Sequence, residues 1–140
     1  MYRRCNERIK FKKDKFMKKE SIVLLGHGSR RSEANDILKS ITEIIKSKLK
    51  GINVECAYLE HAEPNIRYII EKLAEENFES IYVIPYFLYS GNHVSRDIPE
   101  IINGYKEKYP DINIKLGDHL GIDERIAELV TERIASVKLA

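Results

Sequence analysis

From Ser21 onward the chain alternates short solid apolar runs with longer stretches whose apolar residues recur every three or four positions. Residues 22–25 are apolar throughout and stop at Gly26-His27-Gly28, the pattern of a buried strand entering a loop. Ala34, Ile37, Leu38, Ile41, Ile44, Ile45 and Leu49 follow at helical spacing, and Gly51 stands where a helix would end. A second strand is predicted over 52–59. Pro64 then opens a second helix with Ile66, Ile69, Ile70 and Leu73 on one face. A third strand is predicted over 80–89 and a third helix over about 95–109, with Ile98, Ile101, Ile102 and Tyr105 facing inward. Residues 112–116 make the fourth strand, and Asp123 can cap a last helix carrying Ile126, Leu129, Val130 and Ile134. The order is βαβαβαβα, an α/β fold with a four-stranded parallel sheet flanked by helices on both faces. Ligands of such open sheets bind beyond the carboxyl ends of the strands.

Composition changes this picture little. The chain of 140 residues suits a single domain, here residues 20–140. Residues 1–19 are dense in Lys and Arg without an apolar period and read as a basic, disordered tail. A net charge of +2 does not point to nucleic acid. No apolar run approaches the roughly 20 residues that span a bilayer, so no membrane partner is expected. Cys5 and Cys56 have no metal-ligand spacing and suggest no disulfide framework, which fits the cytoplasm.

The candidate chemistry lies in the 4 histidines. His27, His61, His93 and His119 each follow a predicted strand, and parallel strands end on one edge, so the imidazoles can converge there. Imidazole binds divalent transition metals and is a base near neutral pH. Glu60 and Glu63 flank His61. Glu60 reads as a solvated loop residue; Glu63 divides evenly between a helix-start charge and a functional carboxylate. Gly26-His27-Gly28-Ser29-Arg30 lets the backbone approach a flat ligand, or is a plain strand-to-helix turn. Tyr86, Phe87 and Tyr89 can stack on a macrocycle, or pack in the core.

Three segments carry a resemblance: LLGHGSR after the first strand, AEP after the second and YFLYSGNHV after the third. Over about residues 21–137 the chain resembles the small sirohydrochlorin chelatases, the archaeal short forms of the cobalt- and nickel-inserting enzymes of cobalamin and coenzyme F430 biosynthesis. The resemblance implies an ATP-independent lyase that inserts Co²⁺ or Ni²⁺ into a sirohydrochlorin-type tetrapyrrole, with no tightly bound cofactor. It implies a homodimer whose subunits stand in for the two halves of longer class II chelatases. It makes His27 the proton acceptor and a metal ligand, His93 the second metal ligand and Glu63 a substrate-contacting carboxylate. Leu88, Tyr89, Ser90, Gly91, Asn92 and His93 become the substrate-binding loop. His61 stands where relatives carry an apolar residue and His119 where relatives vary, so the resemblance assigns neither a role.

Two other readings compete. A metal or tetrapyrrole carrier on the same fold would need the same ligands but would saturate at one equivalent. Histidine-phosphatase-like phosphoryl transfer requires an Arg directly before the nucleophilic His, and Gly26 occupies that place.

Overall fold

The computed structural model describes residues 19–89 and 91–140; of His93 it describes the backbone alone. The segment 1–18, nearly all of the basic tail, and Ser90 lie outside the described residues. The elements are β1 (Glu20–Gly26), α1 (Ser32–Lys48), β2 (Asn53–Tyr58), α2 (Ile66–Glu75), β3 (Ser80–Pro85), α3 (Asn92–Lys108), β4 (Asn113–Leu116) and α4 (Glu124–Lys138). All strands are parallel, in the order β2-β1-β3-β4. β1 is central because its run from Ile22 to Leu25 has apolar side chains for both faces of the sheet.

One face is covered by α2 and α3. Val23 and Leu25 of β1, Ile81 and Val83 of β3 and Ile114 of β4 pack there against Ile66, Ile69, Ile70 and Leu73 of α2 and Ile98, Ile102 and Tyr105 of α3. The opposite face carries α1 over β1 and β2, with Leu24, Leu38 and Tyr58 buried and Ile22, Ile41, Ile45 and Ile84 against them. Thr42, buried inside α1, donates its hydroxyl to the Leu38 carbonyl at 2.7 Å, so it brings no unpaired polar atom into this layer.

Several boundaries differ from the sequence pattern. The third strand stops at Pro85 rather than running to 89, because the ring has no N–H to continue a ladder; Tyr86 instead donates to the Leu25 carbonyl at 2.8 Å. The second helix starts at Ile66, not Pro64: Asn65 is the cap, its side chain accepting from the Arg67 amide at 2.9 Å. The third helix begins at Asn92, earlier than its apolar period shows, since its first turn is half open to solvent. The largest departure is α4. It forms where expected but buries none of its residues; Leu129, Val130 and Ile134 remain about half exposed. No helix among the described residues is long and apolar enough to cross a membrane.

Asp123 caps α4, accepting from the Arg125 amide and from its guanidinium at 2.8 Å to each carboxylate oxygen. These bonds pull its carboxyl down to about 2. A depressed folded value means that the stabilisation is complete above the ordinary aspartate range near 3.9 and is lost as pH falls through about 2. We expect the α4 helix signal, followed by NMR amide shifts, to persist at pH 4 and fray only on approach to pH 2. Arg125→Ala should move that loss upward in pH.

Candidate active site

The site begins where β1 and β2 run past their last strand residues. Leu59 N–H donates to the Gly26 carbonyl and Glu60 N–H to the His27 carbonyl, both at 3.0 Å. This extension holds His27 and Glu60 side by side, with His27 Nε2 at 3.0 Å from Glu60 Oε1. The other carboxylate oxygen faces His61 Nε2 at 3.7 Å, and His61 has a positive φ of 60°. Glu60 thus stands between two imidazoles.

The turn after His27 is tightly specified. Gly28 has φ 96°, and a Cβ there would lie 1.7 Å from the Glu60 carbonyl oxygen, so only glycine lets β2 approach this closely. Ser29 is clamped by Asn35 of α1: its N–H donates to Oδ1 at 2.9 Å and its carbonyl accepts from Nδ2 at 2.7 Å. Tyr58 fixes Asn35 in turn, its hydroxyl donating to the Asn35 carbonyl at 2.6 Å. Burial pushes that phenol up to about 12, so it stays a donor throughout the physiological range. His27 therefore projects from a rigid turn while its ring remains about half exposed.

Beside the pair opens a cleft of about 370 Å³ lined by His27, Leu59, Glu60, Arg67, Val94, Asp97, Glu100 and Ile101. It lies between the carboxyl ends of β1 and β2, the first turn of α2 and the first half of α3. His93 immediately precedes Val94, and the helical period places position 93 on the same face as 97 and 101. Three carboxylates line the cleft against one guanidinium, a field that favours cations.

The structure does not bring all the candidates together. His27 and His61 converge because β1 and β2 are neighbours. β4 is the far edge strand, about 14 Å from β2 at ordinary strand spacing, and His119 does not line the cleft. Glu63 lies outside the cleft lining, with its carboxylate accepting from the Asn65 amide at 3.2 Å. Leu88 and Tyr89 are exposed, Tyr89 at 81%, and Gly91 caps α3 ahead of Asn92. Tyr86 and Phe87 pack against opposite faces of the sheet. Among the described residues no three His, Cys, Asp or Glu side chains form a metal cluster.

The sequence pattern placed Glu60 in a solvated loop, and it is exposed there, but it is also the partner of His27, which the pattern did not show. Its signal lay in the register. Gly26 pairs with Tyr58, so residue 60 falls opposite the turn that follows β1. Arg67, Asp97 and Glu100 were also missed, being polar residues on otherwise amphipathic helices.

Comparison with known proteins decides the family. The family model described as CbiX matches residues 21–137. The chain belongs to the CbiX family. It is 33% identical over 138 residues to the sirohydrochlorin cobaltochelatase of Methanococcus aeolicus, which covers 81% of this chain and 96% of that one. It is also 33% identical over 115 residues to the sirohydrochlorin ferrochelatase of Priestia megaterium, covering 82% of this chain but 43% of that one. Among solved structures, the sirohydrochlorin chelatase SirB of Bacillus subtilis subspecies spizizenii, in complex with cobalt, superposes with a TM-score of 0.77 at 32% identity, over 85% of this chain and 51% of that one. This CbiX chain thus spans about half the length of the two bacillar relatives and nearly all of the Methanococcus one.

The close approach of Gly28 to Glu60 gives a direct test. Gly28→Ala should destabilise the protein by at least about 1–3 kcal/mol in urea unfolding, from the strained φ alone. It should also separate His27 from Glu60, because the methyl group displaces the Glu60 backbone. Unchanged stability would contradict the close packing of this turn.

Proposed function

We propose that this CbiX chain is a sirohydrochlorin chelatase, inserting a divalent metal into the macrocycle without ATP. The observation that carries this reading is the pairing of His27 with Glu60 at the carboxyl edge of the sheet, beside an acidic cleft. Co²⁺ is the favoured metal, the one that the Methanococcus relative's name implies and the SirB structure contains. Ni²⁺, and with it a place in coenzyme F430 synthesis and methanogenesis, suits the same nitrogen and oxygen donors. The setting is the cytoplasm, in keeping with the free thiol of Cys56.

Insertion exchanges two pyrrole N–H protons for one M²⁺. The three acidic groups of the cleft concentrate the cation. His27 Nε2 and Glu60 Oε1, at 3.0 Å, are spaced as adjacent ligands of one ion, and His93 is the further ligand at the start of α3. Two or three protein ligands leave open positions, which a metal that must be handed on requires. Once the metal leaves for the macrocycle, His27 takes up one pyrrole proton while Glu60 stabilises the resulting imidazolium, and the second pyrrole proton passes to solvent at the open mouth of the cleft. Arg67 meets the anionic periphery of the tetrapyrrole, as do the residues around it: Glu63 as a hydrogen-bonding carboxyl, and Leu88, Tyr89, Ser90, Gly91 and Asn92 as the loop covering one face.

The cleft is near the lower end of the roughly 300–1,000 Å³ typical of ligand sites, and it holds only part of a tetrapyrrole. We therefore place two copies around one macrocycle, a homodimer that matches the length of the bacillar relatives.

Anaerobic insertion of Co²⁺ and of Ni²⁺, followed by tetrapyrrole absorbance with substrate in large excess, tests the reading. His27→Ala should lower the rate at least about 100-fold, the usual worth of a positioned acid–base group. Glu60→Gln, which keeps an acceptor but no charge, should cost about 10–100-fold. Conversion that halts at one equivalent would mark a carrier instead of an enzyme.

A further inference from the structure

His27 takes up one oxygen of the Glu60 carboxylate; the other faces a second histidine. Oε1 meets His27 Nε2 at 3.0 Å, while Oε2 stands 3.7 Å from His61 Nε2. The two contacts differ in kind. The first is a hydrogen-bond distance and the second is too long for one. The longer spacing does suit two donors of a single metal ion. Ligands about 2.1 Å from an ion and a tetrahedral angle apart stand about 3.4 Å from each other, and a somewhat wider angle brings them to the distance seen here.

The loop holds both donors in place. Leu59 packs into the core on the α2–α3 side of the sheet and Ala62 into the layer under α1, so the residues on either side of Glu60-His61 are anchored on opposite faces. The Tyr58 N–H donates to the Pro64 carbonyl at 2.9 Å and the Asn65 side-chain amide to the Leu59 carbonyl at 3.2 Å, which closes the loop on itself. Within it His61 adopts its left-handed φ of 60°, and its ring turns back toward the neighbouring carboxylate. Both side chains stay open to water, Glu60 48% and His61 38% exposed, so an ion between them keeps water at its remaining positions. Glu60 lines the cleft and His61 does not, which puts Oε1 on the cleft side and Oε2 outside it.

We propose that His61 Nε2 and Glu60 Oε2 form a receiving station for the divalent metal, outside the cleft and one carboxylate away from His27. An ion arriving from solvent binds there while a macrocycle covers the cleft. It then crosses the carboxylate by ligand exchange, without change of oxidation state. The bonds to His61 Nε2 and Glu60 Oε2 break as bonds to His27 Nε2 and Glu60 Oε1 form, and the His27 ring exchanges its Nε2 proton for one on Nδ1 through solvent. Two protein ligands make a weak site, which suits an ion that is to be passed on. The imidazole also makes the station selective, since Mg²⁺ and Ca²⁺ take oxygen ligands and gain nothing from His61, whereas Co²⁺ and Ni²⁺ bind nitrogen well.

The station rests on the chelatase reading above, but its binding is measured without tetrapyrrole and so is decided whether or not insertion occurs. The test starts from the full chain with His27→Ala, which removes the inner position and keeps the backbone bond that places Glu60. The metal-free protein, labelled with ¹⁵N-histidine, is titrated with Co²⁺ and followed by NMR and calorimetry. We expect the His61 ring signal, identified by its loss in the double variant with His61→Asn, to show a paramagnetic shift. That double variant should bind Co²⁺ at least about 10-fold more weakly. Asn tolerates the left-handed backbone but is too short to replace the imidazole, and His61→Gly, which also accepts a positive φ, should behave alike. Equal Co²⁺ affinity with and without His61, or a His61 ring signal that Co²⁺ does not move, overturns the station. In the chain that retains His27, His61→Asn should raise the KM for Co²⁺ about 10-fold and leave kcat nearly unchanged, as loss of a contact outside the chemical step does. A fall in kcat at constant KM overturns the receiving role. A protein that inserts no metal but shows the shifted His61 ring overturns the chelatase reading and keeps the station.

Discussion

The register between β1 and β2 is the constraint on which this molecule depends. Val23 and Leu25 face α2 and α3 while Leu24 faces α1, so a slip of one residue would turn each set to the wrong side. The pairing is therefore held by the whole core. The same ladder continues past the last strand residues, to Glu60 N–H on the His27 carbonyl, and delivers the two side chains to one point. Core packing and site geometry are in this sense a single arrangement, and the His27–Glu60 pair needs no scaffold of its own.

The turn converts that register into a fixed imidazole. Gly28 permits contact with the Glu60 backbone, Asn35 clamps Ser29, and Tyr58 holds Asn35 from inside the core. The His27–Glu60 pair is itself about half exposed, so it adds little to stability, about 1 kcal/mol or less. Its exposure leaves it open at the edge of the sheet, where a buried pair would be closed to any ligand. Rigidity comes from the buried neighbours and access from the open edge.

Half-exposed surfaces elsewhere follow the same logic at larger scale. The α2–α3 side of the sheet is complete within one chain, whereas the α1 side is only half covered and α4 buries nothing. The chain spans about half the length of the bacillar relatives and nearly all of the Methanococcus one.

Hydrophobic periodicity by itself determined the element order, the parallel sheet, the helical covering of both faces and the position of His27, His61 and His119 just past strand ends, because each depends on local spacing and on the rule that parallel strands end together. Periodicity also marked α4 as amphipathic, but an apolar stripe records only that something covers it, not which surface. Tertiary structure decided the rest. The strand order set His61 beside His27 and left His119 at the far edge, because sheet order is a property of non-local packing. The register chose Glu60 over Glu63 as the partner of His27: a difference of three residues along one loop cannot be read without knowing which backbone atoms pair across the strands.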